Sequence, residues 1–196
     1  MVGLSFKIKN AGLTVDGTIK GLIGTILFDD KNLSQSSLNV SLNATSVNTG
    51  NKTRDGHLQK DEYFDGAVHP KITFKSTKID KTATGFVATG ELTIKGVTKI
   101  IKLPFSYTEN GARGTFNGTV ILDRRDFGVG GSSWIMGDDV SISISPVIEG
   151  DGNVLGASKI IRDITDRKRM EAELATRESK LREQNQLILQ QNVELQ

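Results

Sequence analysis

The chain has 196 residues, 25 basic against 23 acidic for a net charge of +2, and no cysteine. Its length suffices for one well-buried domain plus an appendage, and its near-neutral balance offers no strong attraction to nucleic acid or to an anionic membrane. Disulfides, thiolate sites and cysteine-based zinc sites are excluded, and no stretch reaches the roughly 20 apolar residues of a membrane-spanning helix, so no transmembrane segment is expected.

The opening MVGLSFKIKN lacks a charged leader followed by a sustained apolar run. From Leu4 the pattern has period two: Leu4, Phe6 and Ile8 alternate with Ser5, Lys7 and Lys9, as a strand with one wet face requires. Gly12, Asp16-Gly17, Gly21 and Gly24 read as punctuation, and Thr25 to Asp29 as a second strand. Leu38, Val40, Leu42 and Ala44 then face one way and Asn39, Ser41 and Asn43 the other, the signature of an antiparallel sheet.

A charged excursion, Asn48 to Thr77, joins that strand to the next. A loop of this length inside an all-β domain is uncommon and usually has a task. Its HLQKDEYFD segment suits a short helix or turn with Leu58 and Phe64 inward and Lys60, Asp61 and Glu62 in water, which makes it a lid or plug.

Beyond the loop, strands are predicted around Ile72 and Phe74, Phe86 to Ile94, Thr98 to Tyr107, Gly114 to Leu122 and Val140 to Ile144. Thr84-Gly85, Lys95-Gly96 and Asn110-Gly111 supply the turns, the last a strong hairpin signal. Short strands at regular spacing, with almost no helix before Gly150, argue for a barrel or a sandwich. A barrel is favoured because it abolishes edges. Val140, Ile142 and Ile144 are expected to face inward and close it.

The composition changes at Glu149-Gly150-Asp151-Gly152-Asn153. Asn153 to Ile161 is expected to be extended, with a helix from about Thr165. Leu174, Leu181, Ile188 and Leu195 recur every seven residues, but the other half of that stripe is Glu171, Glu178, Asn185 and Asn192. A coiled coil, and a homodimer through it, would therefore be weak. The domains are read as 1–149 barrel, 150–165 linker hairpin and 166–196 C-terminal helix.

RDGHL (Arg54 to Leu58), EYFD (Glu62 to Asp65), HPKITFKST (His69 to Thr77), GELTIKGVTK (Gly90 to Lys99) and RRDFGVG (Arg124 to Gly130), in this order, resemble the YceI-like family over about residues 5–149. The resemblance implies an all-β fold, an antiparallel lipocalin-like β-barrel, here with a C-terminal helical extension. It also implies a cavity for a long isoprenoid lipid. Family members typically carry an export leader and an additional strand before the segment matching SFKIKNAG. The expected location is thus the periplasm if a leader precedes this sequence, and the cytoplasm otherwise; an incomplete first strand would leave a neighbouring edge unpaired.

DGNVLGASKIIRDITDRKRMEAEL (Asp151 to Leu174) is similar to the end of PAS sensor domains, with Asp163-Ile164-Thr165 as their signature before a signalling helix. Only the terminal hairpin of such a domain would be present, without its pocket. No histidine follows His69, which excludes a phospho-accepting kinase helix.

His57 with Asp55, Asp61, Glu62 and Asp65 forms a set from which metal binding or proton transfer can be built. Their place in one exposed loop, at spacings matching no known site, favours a structural role. Arg54 and Asp55 are expected to pair or to hold loop carbonyls. Gly128, Gly130 and Gly131 after Arg124 and Arg125 can present N–H groups to a phosphate. No helix follows, so a rim turn with glycines at positive φ is preferred.

Phe6, Phe28, Phe74, Phe86, Phe105, Phe116 and Trp134 fall mostly on presumed inner faces, where they either fill the interior or line a cavity; the pattern is the same in both cases. Polar outer faces argue against a membrane barrel. With the resemblance, the expected ligand-binding lining is Phe28, Leu42, Phe74, Phe86, Leu92, Phe105, Phe116 and Trp134, with no catalytic residue, metal or cofactor. The function expected is non-enzymatic binding or transport of an apolar isoprenoid or quinone-type lipid. The alternative is a sensor or interaction module signalling through the C-terminal helix.

Overall fold

The structure, a computed structural model, describes residues 3–111 and 113–149. Ten strands fill most of this span: β1 (Gly3–Asn10), β2 (Leu13–Lys20), β3 (Ile23–Leu27), β4 (Ser37–Asn43), β5 (Lys71–Thr82), β6 (Gly85–Ile94), β7 (Val97–Asn110), β8 (Arg113–Asp123), β9 (Met136–Ile144) and β10 (Val147–Glu149). One α-helix, α1 (Lys52–Leu58), interrupts them. The sheet runs β2-β1-β9-β8-β7-β6-β5-β4-β3, and β10 pairs with β8. Every pairing is antiparallel.

The two ends of that order, β2 and β3, are separated only by Gly21 and Leu22, yet they do not pair with each other. Residues 20–23 are therefore a bend in one strand, not a hairpin. Gly21 takes φ +78 at the bend, and Leu22 turns inward to 1% exposure. The first half of this strand pairs with β1 and the second with β4. Beyond β4, the backbones of Thr18 and Asn48 bond to each other at 2.8 and 2.9 Å, and Ser46 Oγ accepts from Lys20 N at 2.7 Å. This closes the sheet into a barrel.

A second interrupted strand lies two places round the sheet, beyond β1. β9 gives way at Ser145-Pro146 to β10, and the Pro146 carbonyl accepts from Phe116 N at 3.0 Å. Thus β9 and then β10 accompany the same neighbour, β8. The other edge of β10 has no partner strand among the described residues. Between β9 and β2, by contrast, β1 is hydrogen-bonded on both sides.

Inward positions follow the alternation read from the sequence. Leu38 and Leu42 of β4, Ile72 and Phe74 of β5, and Leu92 and Ile94 of β6 are buried, while Asn39, Lys71 and Lys75 are exposed. Val140, Ile142 and Ile144 of β9 face the interior as expected. β9 also joins the chain's first strand to β8, the role expected of a closing strand.

Three readings need correction. β2 is a full strand where the glycines looked like punctuation. Gly17 stands opposite Phe6, and an ideal Cβ there would come within 2.2 Å of the Phe6 ring, so the glycine makes room for an aromatic across the ladder. The strand predicted from Thr25 begins at Ile23 and ends at Leu27, which puts Phe28 just beyond it. β9 starts at Met136, ahead of Asp138-Asp139. The extended segment Asn153 to Ile161, the Asp163-Ile164-Thr165 junction and the C-terminal helix lie outside the described residues.

Candidate functional site

The barrel encloses a cavity of about 220 Å³. Inward residues of β1, β2, β4, β5, β6, β7, β8 and β9 reach it, so it is the barrel lumen and not a surface cleft. An eight-stranded lumen is near the size at which side chains either fill the interior or leave room for one ligand. Here room is left, and the wall is almost wholly aliphatic or aromatic. Asn10, Ser41, Thr49, Arg54, Tyr63, Thr73 and Arg124 bring the polar groups of the lining.

One end is stoppered by rings. Phe28 meets Phe86, Phe105 and Phe116 edge-on at 4.9, 5.5 and 5.3 Å between centroids, and Tyr107 lies 4.8 Å from Phe28. Edge-to-face packing suits the quadrupole of aromatic rings and resists sliding. Tyr107 is half-buried. Burial, with the Glu109 and Asp30 carboxylates acting the same way, pushes its hydroxyl above the usual phenol range.

The opposite end is covered by the long excursion after β4. Asn51 Oδ1 caps α1 by accepting from Arg54 N at 3.0 Å. Arg54 donates from Nε to Thr49 Oγ1 at 2.8 Å and from its terminal nitrogen to the Thr49 carbonyl at 2.9 Å. Asp55 accepts from Thr49 N and Oγ1 at 2.8 and 2.6 Å. Both side chains therefore grip Thr49; Arg54 does hold a loop carbonyl, and the two form no ion pair with each other. The grip aims Leu58, Tyr63 and Phe64 into the lumen, while Lys60, Asp61 and Glu62 stay in water. The excursion is a cap over the lumen.

Next to the cap, the RRDFGVGG run makes a rim turn around one buried cation. Arg124 is 5% exposed. It donates to the carbonyls of Gly137, Val129 and Gly131 at 2.9, 2.9 and 3.0 Å, and to Asp138 Oδ1 at 2.9 Å. Gly128 and Gly130 take φ +65 and +71. The guanidinium is thus committed to the loop's own carbonyls, a structural use of the glycine-rich run. His57 is exposed, and the His69 ring packs against Gly96. Among the described residues, no group of three or more His, Asp or Glu is placed to hold a metal.

Residues 2–148 match the YceI-like domain. The chain belongs to the YceI-like family. Among curated relatives, a UPF0312 protein of Pectobacterium atrosepticum is 40% identical over 101 residues, and Protein YceI of Escherichia coli is 39% identical over 101. This YceI-like chain spans about half the length of the curated relatives it matches, 53% in both cases. Among solved structures, BcnA of Burkholderia cenocepacia is similar at TM-score 0.70 and 29% identity, over 74% of this chain and 95% of that one. A YceI protein of Campylobacter jejuni gives 0.62 and 29%, over 69% and 84%. A polyisoprenoid-binding domain of Saccharophagus degradans, at 17% identity and TM-score 0.57 over 75% and 92%, shares the fold.

Of the lining expected from the sequence, Leu42, Phe74, Leu92, Phe105 and Phe116 face the lumen of this YceI-like barrel. Phe28 and Phe86 do not; they belong to the aromatic stopper, with Phe28 displaced past the end of β3. Trp134 is not inside at all. It is 97% exposed, because the Gly131–Ser133 segment before it has no strand alternation and Met136, two residues on, takes the inward place. The lining expected from the sequence omits Tyr63, Arg54 and Met136 at the capped end, Arg54 being expected only to pair with Asp55 or to hold loop carbonyls. Only Tyr63 had a visible signal, as the aromatic beside Phe64.

Proposed function

We propose that the barrel is a non-enzymatic carrier that takes the tail of an apolar isoprenoid or quinone-type lipid into its lumen. The observation that supports this most is the lumen itself, about 220 Å³ with almost no polar wall. Membership of the YceI-like family and the shared fold of a polyisoprenoid-binding domain point the same way. Each buried methylene contributes about 0.8 kcal/mol, or roughly 4 kcal/mol for a five-carbon unit before the costs of association. A drug-sized pocket runs to about 300–1,000 Å³. This lumen therefore takes only part of a long tail unless the cap side chains Leu58, Tyr63 and Phe64 swing aside.

Native mass spectrometry of the full chain purified from its host tests the reading, with added farnesol as a short isoprenoid probe. A co-purifying apolar mass, or retention of farnesol that Leu42→Arg abolishes in a folded protein, is the expected result. A chain that carries nothing and retains no farnesol overturns it. Passage of the lipid through the periplasm fits the same reading; finding the native protein only in the cytosolic fraction would count against it.

We further propose that residues 1–149 form the binding domain and that the stretch 166–196 pairs weakly with a second copy, as a sensor output would. The support is the seven-residue recurrence of Leu174, Leu181, Ile188 and Leu195. Concentration-dependent dimerisation that is lost on deleting 166–196 is expected. A monomer at high concentration, with or without the tail, refutes it.

A further inference from the structure

We propose that the rim at the capped end docks on a lipid bilayer, through a patch centred on Trp134. The side chains of Trp134, Leu13, Val68 and Ile135 are 97%, 73%, 67% and 47% exposed. Scattered exposed aliphatics are ordinary, and Ile100 and Ile121 on β7 and β8 need no account. The rim group is different because it is gathered at one end. Ala11 N donates to the Ile135 carbonyl at 2.7 Å, which brings the turn before Leu13 against the Trp134 loop. Val68 precedes His69, whose ring packs on Gly96, and Lys95 beside it donates to Gly128 O at 2.7 Å, so the cap joins the same rim.

The patch is also continuous with the lumen. Leu13 lies on the same face of β2 as Val15 and Ile19, which line the cavity, but it sits at the strand end, past the rim. Ile135 is followed directly by Met136, another lining residue. Apolar side chains thus reach from the outer rim to the lumen mouth, with Asn10, paired with both Leu13 and Met136, as the polar group beside them. A bilayer is the occupant that this continuity favours. A tail leaving a membrane along that path stays out of water, and an indole settles at the headgroup level where its ring is apolar and its N–H is wet. The inference rests on the carrier reading for its purpose.

Its test does not. Trp134 is the only tryptophan in the sequence, so the full chain reports its own docking. On adding phosphatidylcholine vesicles, the emission should shift to the blue and be quenched by brominated lipid. Leu13→Ser with Ile135→Ser keeps the reporter and removes two of the four anchors. Because both side chains are exposed, cooperative unfolding should be unchanged while vesicle partitioning falls on the order of tenfold. Three results overturn the proposal: no shift with vesicles, the same shift in the double variant, or a blue shift that grows with protein concentration and doubles the mass without vesicles, which would assign the patch to a second copy. Docking without any retained farnesol would sink the carrier reading and leave this one standing; the reverse result would do the opposite.

Discussion

The backbone N–H of Gly130 donates to the Glu62 carbonyl at 2.8 Å, and this bond ties the cap to the rim loop. Gly130 sits at φ +71, and an ideal Cβ there would lie 2.9 Å from an Arg124 guanidinium nitrogen and 3.1 Å from the Tyr63 ring. Gly130→Ala should therefore cost about 1–2 kcal/mol in denaturant unfolding, from strain and crowding together. It should also speed release of a bound apolar probe. An unchanged release rate would show that the cap does not depend on this joint.

Arg124 should matter more to stability. Arg124→Met removes the donors of three carbonyls and of Asp138 at once. Arg125, whose terminal nitrogen is 3.1 Å from Asp138 Oδ2, offsets only part of the loss. About 3 kcal/mol of destabilisation is expected, since water reaches a buried loop poorly. A loss under about 1 kcal/mol would show that the carbonyls find other partners.

Gly17 offers a way to fill the lumen without touching its wall directly. Phe6 occupies the space where a Gly17 side chain would go, and Phe6 itself lines the cavity. Gly17→Val should push the ring inward and reduce farnesol uptake several-fold. About 1–3 kcal/mol of destabilisation should accompany it, because the added side chain crowds the Phe6 ring in a buried position. Full uptake with a folded variant would contradict this placement of Phe6.

The alkaline limb of stability should carry the mark of Tyr107. Its proton is held more tightly in the folded state than in the unfolded one. This contribution is intact below the ordinary phenol value of about 10 and is lost as pH rises through the higher folded value. Melting temperature should therefore fall as pH rises above about 10, and fall less in Tyr107→Phe. Identical slopes in the two proteins would remove Tyr107 from the account.

Among the described residues, Ile148 is the last buried apolar side chain. It is 5% exposed against the barrel, and β10 ends at Glu149. A chain cut after Gly150 should unfold in one cooperative transition at nearly the full chain's temperature. Loss of the transition would show that residues beyond 150 belong to the core.

The lumen was legible wherever strands alternate. Leu42, Phe74 and Leu92 could be placed from period two alone, because a one-residue slip would turn every apolar side chain to water. The motif order supplied the closed barrel that the alternation left open between barrel and sandwich. What stayed hidden depends on contacts between distant residues. Gly17 looks like a breaker until Phe6 is set opposite it, and Gly21 looks like a turn until β2 and β3 are seen to serve different neighbours. Trp134 was misplaced because aromatic residues are usually buried, and its loop has no periodicity to say otherwise.

The pairing of β1 with β9 sets Leu4 opposite Ile144, nearly the whole domain apart in sequence. The ring therefore cannot be completed on a ribosome until residues 136–144 have emerged, and before then β1 and β8 each keep a bare edge beside an apolar inner face. Contacts so distant make for slow folding, in milliseconds to seconds. During that interval the future lumen is an open trough, and a lipid tail lying in it would be wrapped by the last strand instead of having to enter past the cap.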